Sequence, residues 1–196
     1  MALDKNQIYI IDNFIPVKEQ YSFLQNILTS PGNISYHTHQ YNECQLQIED
    51  PRYNKLLPEN QFIINLFQQK TQFLNILEKN FNFQIQEIIR TKINWIPREH
   101  IDSKNGYYPP HTDNPQNHWV LIYYVNTSDG DTLIFEETQK EIPFNKVLNQ
   151  TLHIKHNIEH KMGRGVLFHG SRYHCGLPPI NSPYRILINH NFTIKE

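Results

Sequence analysis

His111-Thr112-Asp113 sets an imidazole and a carboxylate at alternate positions, and farther along the chain stand His169, His174 and Arg185. In an extended segment, residues i and i+2 project to the same side, so His111 and Asp113 can address one point in space while Thr112 faces away. Two imidazoles and one carboxylate, with positions left open, are the ligand set suited to a non-haem ferrous ion. The third ligand must come from a distant strand, and both His169 and His174 are available. The separation from Arg185 favours His174, which leaves His169 to line the pocket or to hydrogen-bond behind the ligands. Arg185 adds a second chemistry. It interrupts Tyr184-Arg185-Ile186-Leu187-Ile188, a run otherwise apolar enough to be core. A buried charge is costly unless paired and hydrogen-bonded, so a guanidinium there needs an anion. Its planar fork suits a carboxylate held by two parallel bonds. The competing arrangement is an internal ion pair with an Asp or Glu.

These residues need strands to hold them. Past residue 84 the chain breaks into short strand-like runs at 85–95, 106–112, 118–126, 132–136, 151–155, 165–169, 173–176 and 184–192. Turn residues separate them, among them Asn105-Gly106, Asp129-Gly130, Gly163-Arg164-Gly165 and Pro178-Pro179. The first part of the chain reads differently. Residues 7–15 suggest a short buried strand ending at Pro16, and 17–29 a helix with Val17, Tyr21, Leu24 and Leu28 on one face. Residues 30–57 read as loop with one or two short strands. Residues 59–80 form the strongest helix, with a stripe of Phe62, Leu66, Phe73 and Leu77 flanked by Ile63, Phe67 and Leu74. Such a helix needs a large apolar surface, which a sheet supplies. The expected fold is mainly β with N-terminal helices (α+β): a jelly roll with helices packed on one outer face. One domain spans 1–196, with 1–85 as helical support and mouth and 86–196 as the β core.

Composition narrows the partners. The chain of 196 residues has 18 Lys plus Arg against 19 Asp plus Glu and a net charge of -1, so no basic field announces nucleic acid or an anionic membrane. No run approaches the roughly 20 apolar residues of a membrane span. Met1-Ala2-Leu3-Asp4-Lys5 lacks the layout of a secretion signal. Cys44 and Cys175 could form one disulfide at most, and a free thiol beside His174 fits a reducing, cytoplasmic setting better. Nothing in the composition sets an oligomeric state.

From residue 86 to 192 the chain resembles the Fe(II)/2-oxoglutarate-dependent dioxygenases, in their prolyl-4-hydroxylase-like branch. The resemblance is carried by His111-Thr112-Asp113-Asn114-Pro115, Leu121-Ile122-Tyr123-Tyr124-Val125-Asn126 and Asp129-Gly130-Asp131-Thr132-Leu133-Ile134-Phe135. Gly163-Arg164-Gly165-Val166-Leu167-Phe168, His174 and Tyr184-Arg185-Ile186-Leu187-Ile188-Asn189 complete it. Residues 1–85 match loosely, through Asp12-Asn13-Phe14 and the two helices, and Asp129-Gly130-Asp131 departs from a turn that usually carries two glycines. The resemblance implies a double-stranded β-helix, Fe(II) on His111, Asp113 and His174, and 2-oxoglutarate as co-substrate with its far carboxylate on Arg185, Tyr124 and Thr132. It implies O2 as oxidant, ascorbate as a stimulant, and hydroxylation of an unactivated C–H bond with release of succinate and CO2. Asp113 stands where related halogenases carry a small residue, which favours hydroxylation. The implied substrate is a prolyl residue in a peptide or a small amino-acid-like metabolite. A nucleic-acid demethylase of the same superfamily is the first rival and lacks its basic groove. A jelly-roll protein that holds metal without turnover is the second, and it would have no use for Arg185.

Several groups stand outside this scheme. Asn94 and Asn189 lie on strands flanking the pocket. Tyr36, His37, His39 and Tyr41 fall in the mouth region, where ordinary loop roles are the simpler reading. The histidines of His153-Ile154-Lys155-His156-Asn157-Ile158-Glu159-His160 lack the cysteines and carboxylates of a structural zinc site and suit a solvated hairpin. Trp95 and Trp119 read as core or pocket wall, and Glu136-Glu137 as an exposed strand end.

Overall fold

β-branched and aromatic residues crowd the second half of the chain, and they pair there as strands. The computed structural model describes residues 3–29, 36–38, 44–46, 73–98, 106–147 and 150–195. The elements begin with β1 (Tyr9–Ile11), α1 (Val17–Thr29), β2 (Tyr36–Thr38), β3 (Cys44–Leu46), a helical stretch α2 (residues 73–81) and β4 (Ile85–Pro97). They continue with β5 (Trp119–Tyr124), β6 (Thr132–Thr138), α3 (Phe144–Val147), β7 (Ile154–Ile158), β8 (Gly165–His169), β9 (Arg172–Gly176) and β10 (Tyr184–Ile194). One sheet has the order β1-β8-β5-β10-β4, a second β7-β6-β9, and β2 and β3 form a hairpin. Pairing is antiparallel throughout these sheets. The result is the expected jelly roll: two antiparallel sheets, with helices on one outer face.

Alternation along the strands sorts side chains into layers. Leu187 of β10 lies opposite Tyr124 of β5, and Ile122 lies between Asn189 of β10 and Val166 of β8. Val120, Ile122, Tyr124, Val166, Phe168 and Leu187 then meet Ile134 and Ile158 of the second sheet, which closes the sandwich interior. The alternate residues, Trp119, Leu121, Tyr123, Ile186, Ile188 and Phe192, face outward onto the helices. There Phe23 and Ile27 of α1 and Phe73, Leu74 and Leu77 of α2 cover them, with Phe73 at 4.8 Å centroid distance from Tyr123. A third cluster, including Leu133, Phe135, Val147, Tyr173 and Cys175, lies on the outer face of the smaller sheet.

Several expectations are corrected. β1 is much shorter than 7–15, and Ile10 is 47% exposed. Val17 and Tyr21 of α1 face solvent at 53% and 62% exposure, while Gln20, Phe23 and Ile27 form the buried face. Gln20 is held by donating to the Ile15 carbonyl at 2.9 Å. It lies against Gly163, whose positive φ of 78° and lack of a side chain allow that contact. No strand forms at 106–112; only His111 makes an isolated bridge, to His174. Pro109 and Pro110 cannot donate to a ladder, which confines pairing to one residue. The strand expected at 151–155 is displaced to Ile154–Ile158, since Leu152 is drawn into the third cluster. Within the helix expected at 59–80, Phe73, Leu74 and Leu77 are buried as anticipated, whereas Phe62, Ile63, Leu66 and Phe67 lie outside the described residues. Among the described residues no helix is long and apolar enough to cross a membrane.

Leu77 is fully buried between α2 and the large sheet. Leu77→Ala should therefore cost about 3 kcal/mol of folding free energy through lost burial and a residual cavity. Urea unfolding checks this, and a change below about 1 kcal/mol would show that α2 does not seal this layer.

Candidate metal centre and carboxylate clamp

Asp113 lies in the irregular segment before β5, His174 in the middle of β9, and the His111–His174 bridge ties the two regions together. Both backbone N–H groups of that bridge donate across it at 3.0 Å. The three side chains converge: one ligand atom from each of His111, Asp113 and His174 lies within 4.8 Å of the others. The imidazole centroids are 4.7 Å apart. Phe168 meets the His174 ring edge-on at 5.1 Å and limits its rotation.

The tautomers follow from the neighbours. His111 Nδ1 lies 3.1 Å from the Pro109 carbonyl and His174 Nδ1 3.3 Å from the Arg172 carbonyl. A carbonyl only accepts, so each Nδ1 carries the proton and each Nε2 keeps a lone pair. Burial, then the neighbouring His174, pushes His111 down to about 4, so it is neutral at physiological pH. Burial alone would raise the Asp113 carboxyl, but His174, Arg90 and His111 outweigh it and hold it well below the usual carboxylate range. A neutral His111 and an ionised Asp113 are in the protonation states that a divalent metal requires of its ligands. The donor set fits a ferrous ion with open positions.

Asp113 is itself clamped. Arg90 Nη2 on β4 donates to its Oδ1 at 2.5 Å, and Asn189 Nδ2 on β10 donates to its Oδ2 at 2.9 Å. Asn189 Oδ1 accepts in turn from Asn191 Nδ2 at 3.0 Å. Asn189 thus supports the carboxylate. Asn94 is half-buried, with its Oδ1 lacking a hydrogen-bond partner. Arg90 and Asn191 escaped sequence reasoning. Their signal was the recurrence of polar residues at alternate positions of two strands, Arg90-Lys92-Asn94 and Asn189-Asn191.

The second expected group assembles nearby on the same inner face. Arg185 is 1% exposed, and burial depresses its pKa. Its Nη1 donates to the Asp131 and Leu177 carbonyls at 3.2 and 3.1 Å, and its Nη2 to Thr132 Oγ1 at 3.2 Å. Its Nε has no partner, and among the described residues no carboxylate lies within ion-pair distance. Tyr124 lies beside Thr132 and Arg185, without a well-formed hydrogen bond from its hydroxyl, and burial pushes its phenol up to about 12. His160, fully buried, stacks on Tyr124 at 4.2 Å. Thr132 pairs with Gly176, near His174 along β9, so clamp and ligand cluster share one wall. Gly176 is the permissive element: a Cβ there would sit 2.0 Å from Arg185 Nη1. The solvated-hairpin reading of 153–160 is corrected at His160, which is fully buried, and the need for glycine at 176 was not read from the sequence, because both depend on where the guanidinium lies.

The remaining candidates stay apart from the cluster. His169 bonds Ser171 Oγ at 2.8 Å and Asn117 Oδ1 at 2.7 Å, and takes no place among the ligands. Trp119 is buried against the helices and Trp95 packs at the same layer, so both are core rather than pocket wall. His153 pairs with Glu137 at 2.6 Å, which corrects the reading of Glu137 as a bare strand end. Asp129 takes the backbone N–H groups of Ile180, Asn181 and Ser182, and so ties the turn to the segment before β10. Cys175 is buried. The side chains of Tyr36, His37 and Cys44, and all of His39 and Tyr41, lie outside the described residues.

A jelly roll whose interior joins a two-histidine, one-carboxylate cluster to a buried cation defines the class of metal-dependent oxidoreductases that take an acidic co-substrate. Residues 98–193 match the family model described as the 2OG-Fe(II) oxygenase superfamily, whose members use Fe(II), 2-oxoglutarate and O2. No curated protein matches the sequence. Among solved structures, a Trichoplax adhaerens prolyl hydroxylase in complex with a hypoxia inducible factor oxygen degradation domain peptide fragment is similar at 16% identity and a TM-score of 0.61, over 95% of this chain and 83% of that one. A Pseudomonas putida prolyl-4-hydroxylase matches at 13% identity and 0.57, over 97% and 94%. The epimerase SnoN in complex with Fe3+, alpha ketoglutarate and nogalamycin RO matches at 6% and 0.66, over 96% and 79%. At these identities the shared property is the fold.

Burial also pushes His169 down to about 4, as it does His111. Between about pH 4 and 6.5 the unfolded chain therefore binds more protons than the fold, so stability falls as pH is lowered through that window. Metal-free protein should lose on the order of 1–2 kcal/mol per histidine between pH 7 and pH 5. His169→Gln should remove part of that slope. Equal urea midpoints at the two pH values would contradict neutral, buried imidazoles.

Proposed function

We propose that this chain is a hydroxylase: it inserts one oxygen atom into an unactivated C–H bond while 2-oxoglutarate becomes succinate and CO2. The substrate we favour is a prolyl residue of a peptide or a small amino-acid-like metabolite, with no role for nucleic acid. The carrying observation is Arg185, a fully buried guanidinium with no carboxylate partner among the described residues, which reaches from β10 to Thr132 on β6, the neighbour of the strand that bears His174. An internal ion pair would have removed the need for an acidic ligand. A protein that merely stored metal would have no reason to bury such a cation.

In this reading His111, Asp113 and His174 hold Fe(II), and Arg185, Thr132 and Tyr124 hold the distal carboxylate of 2-oxoglutarate. Bound Fe(II), with 2-oxoglutarate and O2, supplies the oxidising power, one oxygen atom going to succinate and the other to the substrate. The chain does the rest. The Pro109 and Arg172 carbonyls keep both Nε2 lone pairs turned to the metal. Tyr124 stays protonated because burial raises its phenol to about 12, so it donates to a carboxylate. Val120, Ile122, Ile134, Phe168 and Leu187 keep the interior dry, which strengthens every charge interaction there. Asp113 fills a metal position and leaves no room for chloride there, which supports hydroxylation. The prolyl hydroxylases that share the fold, one solved with a peptide fragment, support the peptide branch. The compartment we favour is the reducing cytoplasm, in keeping with a chain of two cysteines.

Succinate release with Fe(II) and ascorbate, across peptide, amino-acid and nucleic-acid pools, tests the reaction. Turnover should appear with peptides or amino acids and vanish in His111→Ala, Asp113→Ala and His174→Ala. Full activity in His174→Ala with none in His169→Ala would show the third ligand to be misassigned, and turnover on a methylated base would promote the demethylase reading. Arg185→Lys keeps the charge but loses the fork, and should weaken 2-oxoglutarate binding by about 2 kcal/mol, roughly thirtyfold. Gly176→Ala should weaken it comparably without altering any charge, because the new methyl displaces Nη1. Unchanged calorimetric affinity for 2-oxoglutarate in both variants would sink the clamp.

A further inference from the structure

We propose that Arg90 reads a carboxylate on the substrate, so that the enzyme takes a free amino or imino acid, or the C-terminal residue of a peptide, in preference to an internal residue. The inference rests on the oxygenase reading of the site. Arg90 projects from β4 opposite Asn191 of β10 and spends one N–H on Asp113 Oδ1. Its side chain is 30% exposed, against 5% for Asp113. The remaining edge of the guanidinium is therefore accessible to solvent while its anchored end touches a candidate metal ligand. No other hydrogen bond of Arg90 is found among the described residues.

Two arguments give that free edge a purpose beyond holding Asp113. The first is that Asp113 is already supported, because Asn189 donates to Oδ2. Asn189 is oriented by necessity. Its amide N–H must face the carboxylate, so its oxygen accepts from Asn191, and the relay places Asp113 without a five-donor fork. The second argument is charge. In the loaded site the two charges of Fe(II) cancel those of 2-oxoglutarate, and Arg185 cancels Asp113. Arg90 then adds a further positive charge at the edge of the site. Lys92, on the same face of β4 and 9% exposed, adds to the positive field, which reaches His111. A negatively charged substrate offsets part of that field, and the guanidinium edge suits a carboxylate. An internal prolyl residue brings no such charge. The two-point geometry has a further effect: one side chain links the substrate carboxylate to the metal's carboxylate ligand, which limits how far from the metal the reacting carbon of a small acid can lie.

The test is anaerobic calorimetry on the full chain loaded with Fe(II) and 2-oxoglutarate. The probes are the standard amino acids and short peptides ending in each, as free acids and as C-terminal amides. The wild-type protein should bind at least one free acid about tenfold or more tighter than its amide. Arg90→Gln should bring that ratio to about one, and Arg90→Lys should retain part of it. Zn(II) affinity should fall in Arg90→Gln, which loses one of the two side chains that hold Asp113, so the acid-to-amide ratio is read at saturating Fe(II) and 2-oxoglutarate. Equal binding of acid and amide by the wild type overturns the proposal, as does failure of every acid to bind while 2-oxoglutarate binds. So does an Arg90→Gln protein that loses Zn(II) and keeps the acid-to-amide ratio, the outcome expected of a purely structural partner of Asp113. Should Arg90→Gln not fold, the wild-type ratio and Arg90→Lys still decide. Absence of 2-oxoglutarate binding by the wild type is a different failure, that of the oxygenase reading itself.

Discussion

A guanidinium leaves water only where acceptors meet its N–H groups and some anion meets its charge. Arg185 has the acceptors: two carbonyls and a threonine hydroxyl. No carboxylate among the described residues supplies the anion, and Nε stays unpartnered. Much of the surrounding architecture makes sense only as accommodation of that cation. Gly176 and Gly130 are bare because a Cβ at either would press on the arginine side chain. Asp131 turns its carbonyl to Nη1 while its carboxylate accepts from the His160 backbone. His160 is held neutral by burial, and by the positive guanidinium after it, so that no second charge enters the same volume.

β10 carries the two functions of the fold on its two faces. Arg185, Leu187, Asn189 and Asn191 alternate on the inner face, where they meet the co-substrate clamp, the apolar interior and the Asp113 relay. Ile186, Ile188 and Phe192 alternate on the outer face and take the helices. A one-residue slip of this strand would exchange the two sets, exposing the helix-facing surface and burying nothing that binds. The long pairing with β4 on one side and with β5 on the other makes such a slip expensive. Stability and site geometry are therefore the same constraint here, expressed on opposite faces of one strand.

What the sequence revealed follows from what is local. Alternation and turn residues located β4, β5, β6, β8, β9 and β10 closely, and His111, Asp113 and His174, singled out by type and order, are groups that the fold does bring within reach of one another. The failures share a cause, which is that tertiary packing decided them. Val17 and Tyr21 have helical spacing with Leu24, yet Gln20 outcompetes them for the buried face because it can bond the Ile15 carbonyl. Segment 106–112 alternates like a strand, but its prolines deny it a ladder. Arg90 looked like an ordinary strand residue, since its partner lies on a segment whose path no local pattern encodes.

That irregular segment raises a mechanical question: what holds two of three ligands in place without a sheet to hold them. The contacts supply the answer. His111 is fixed by its bridge to His174 and by its bond to Pro109. Asp113 is fixed from β4 by Arg90 and from β10 by Asn189, two adjacent strands of the large sheet, while His174 belongs to the smaller one. The ligand cluster is thus where the two sheets are stitched together through a loop, by side-chain bonds in place of backbone ones. A divalent ion bound there would add three strong contacts across the same gap. Metal binding and closure of this end of the sandwich are then linked, because an ion that binds the folded site and not the unfolded chain stabilises the fold by mass action.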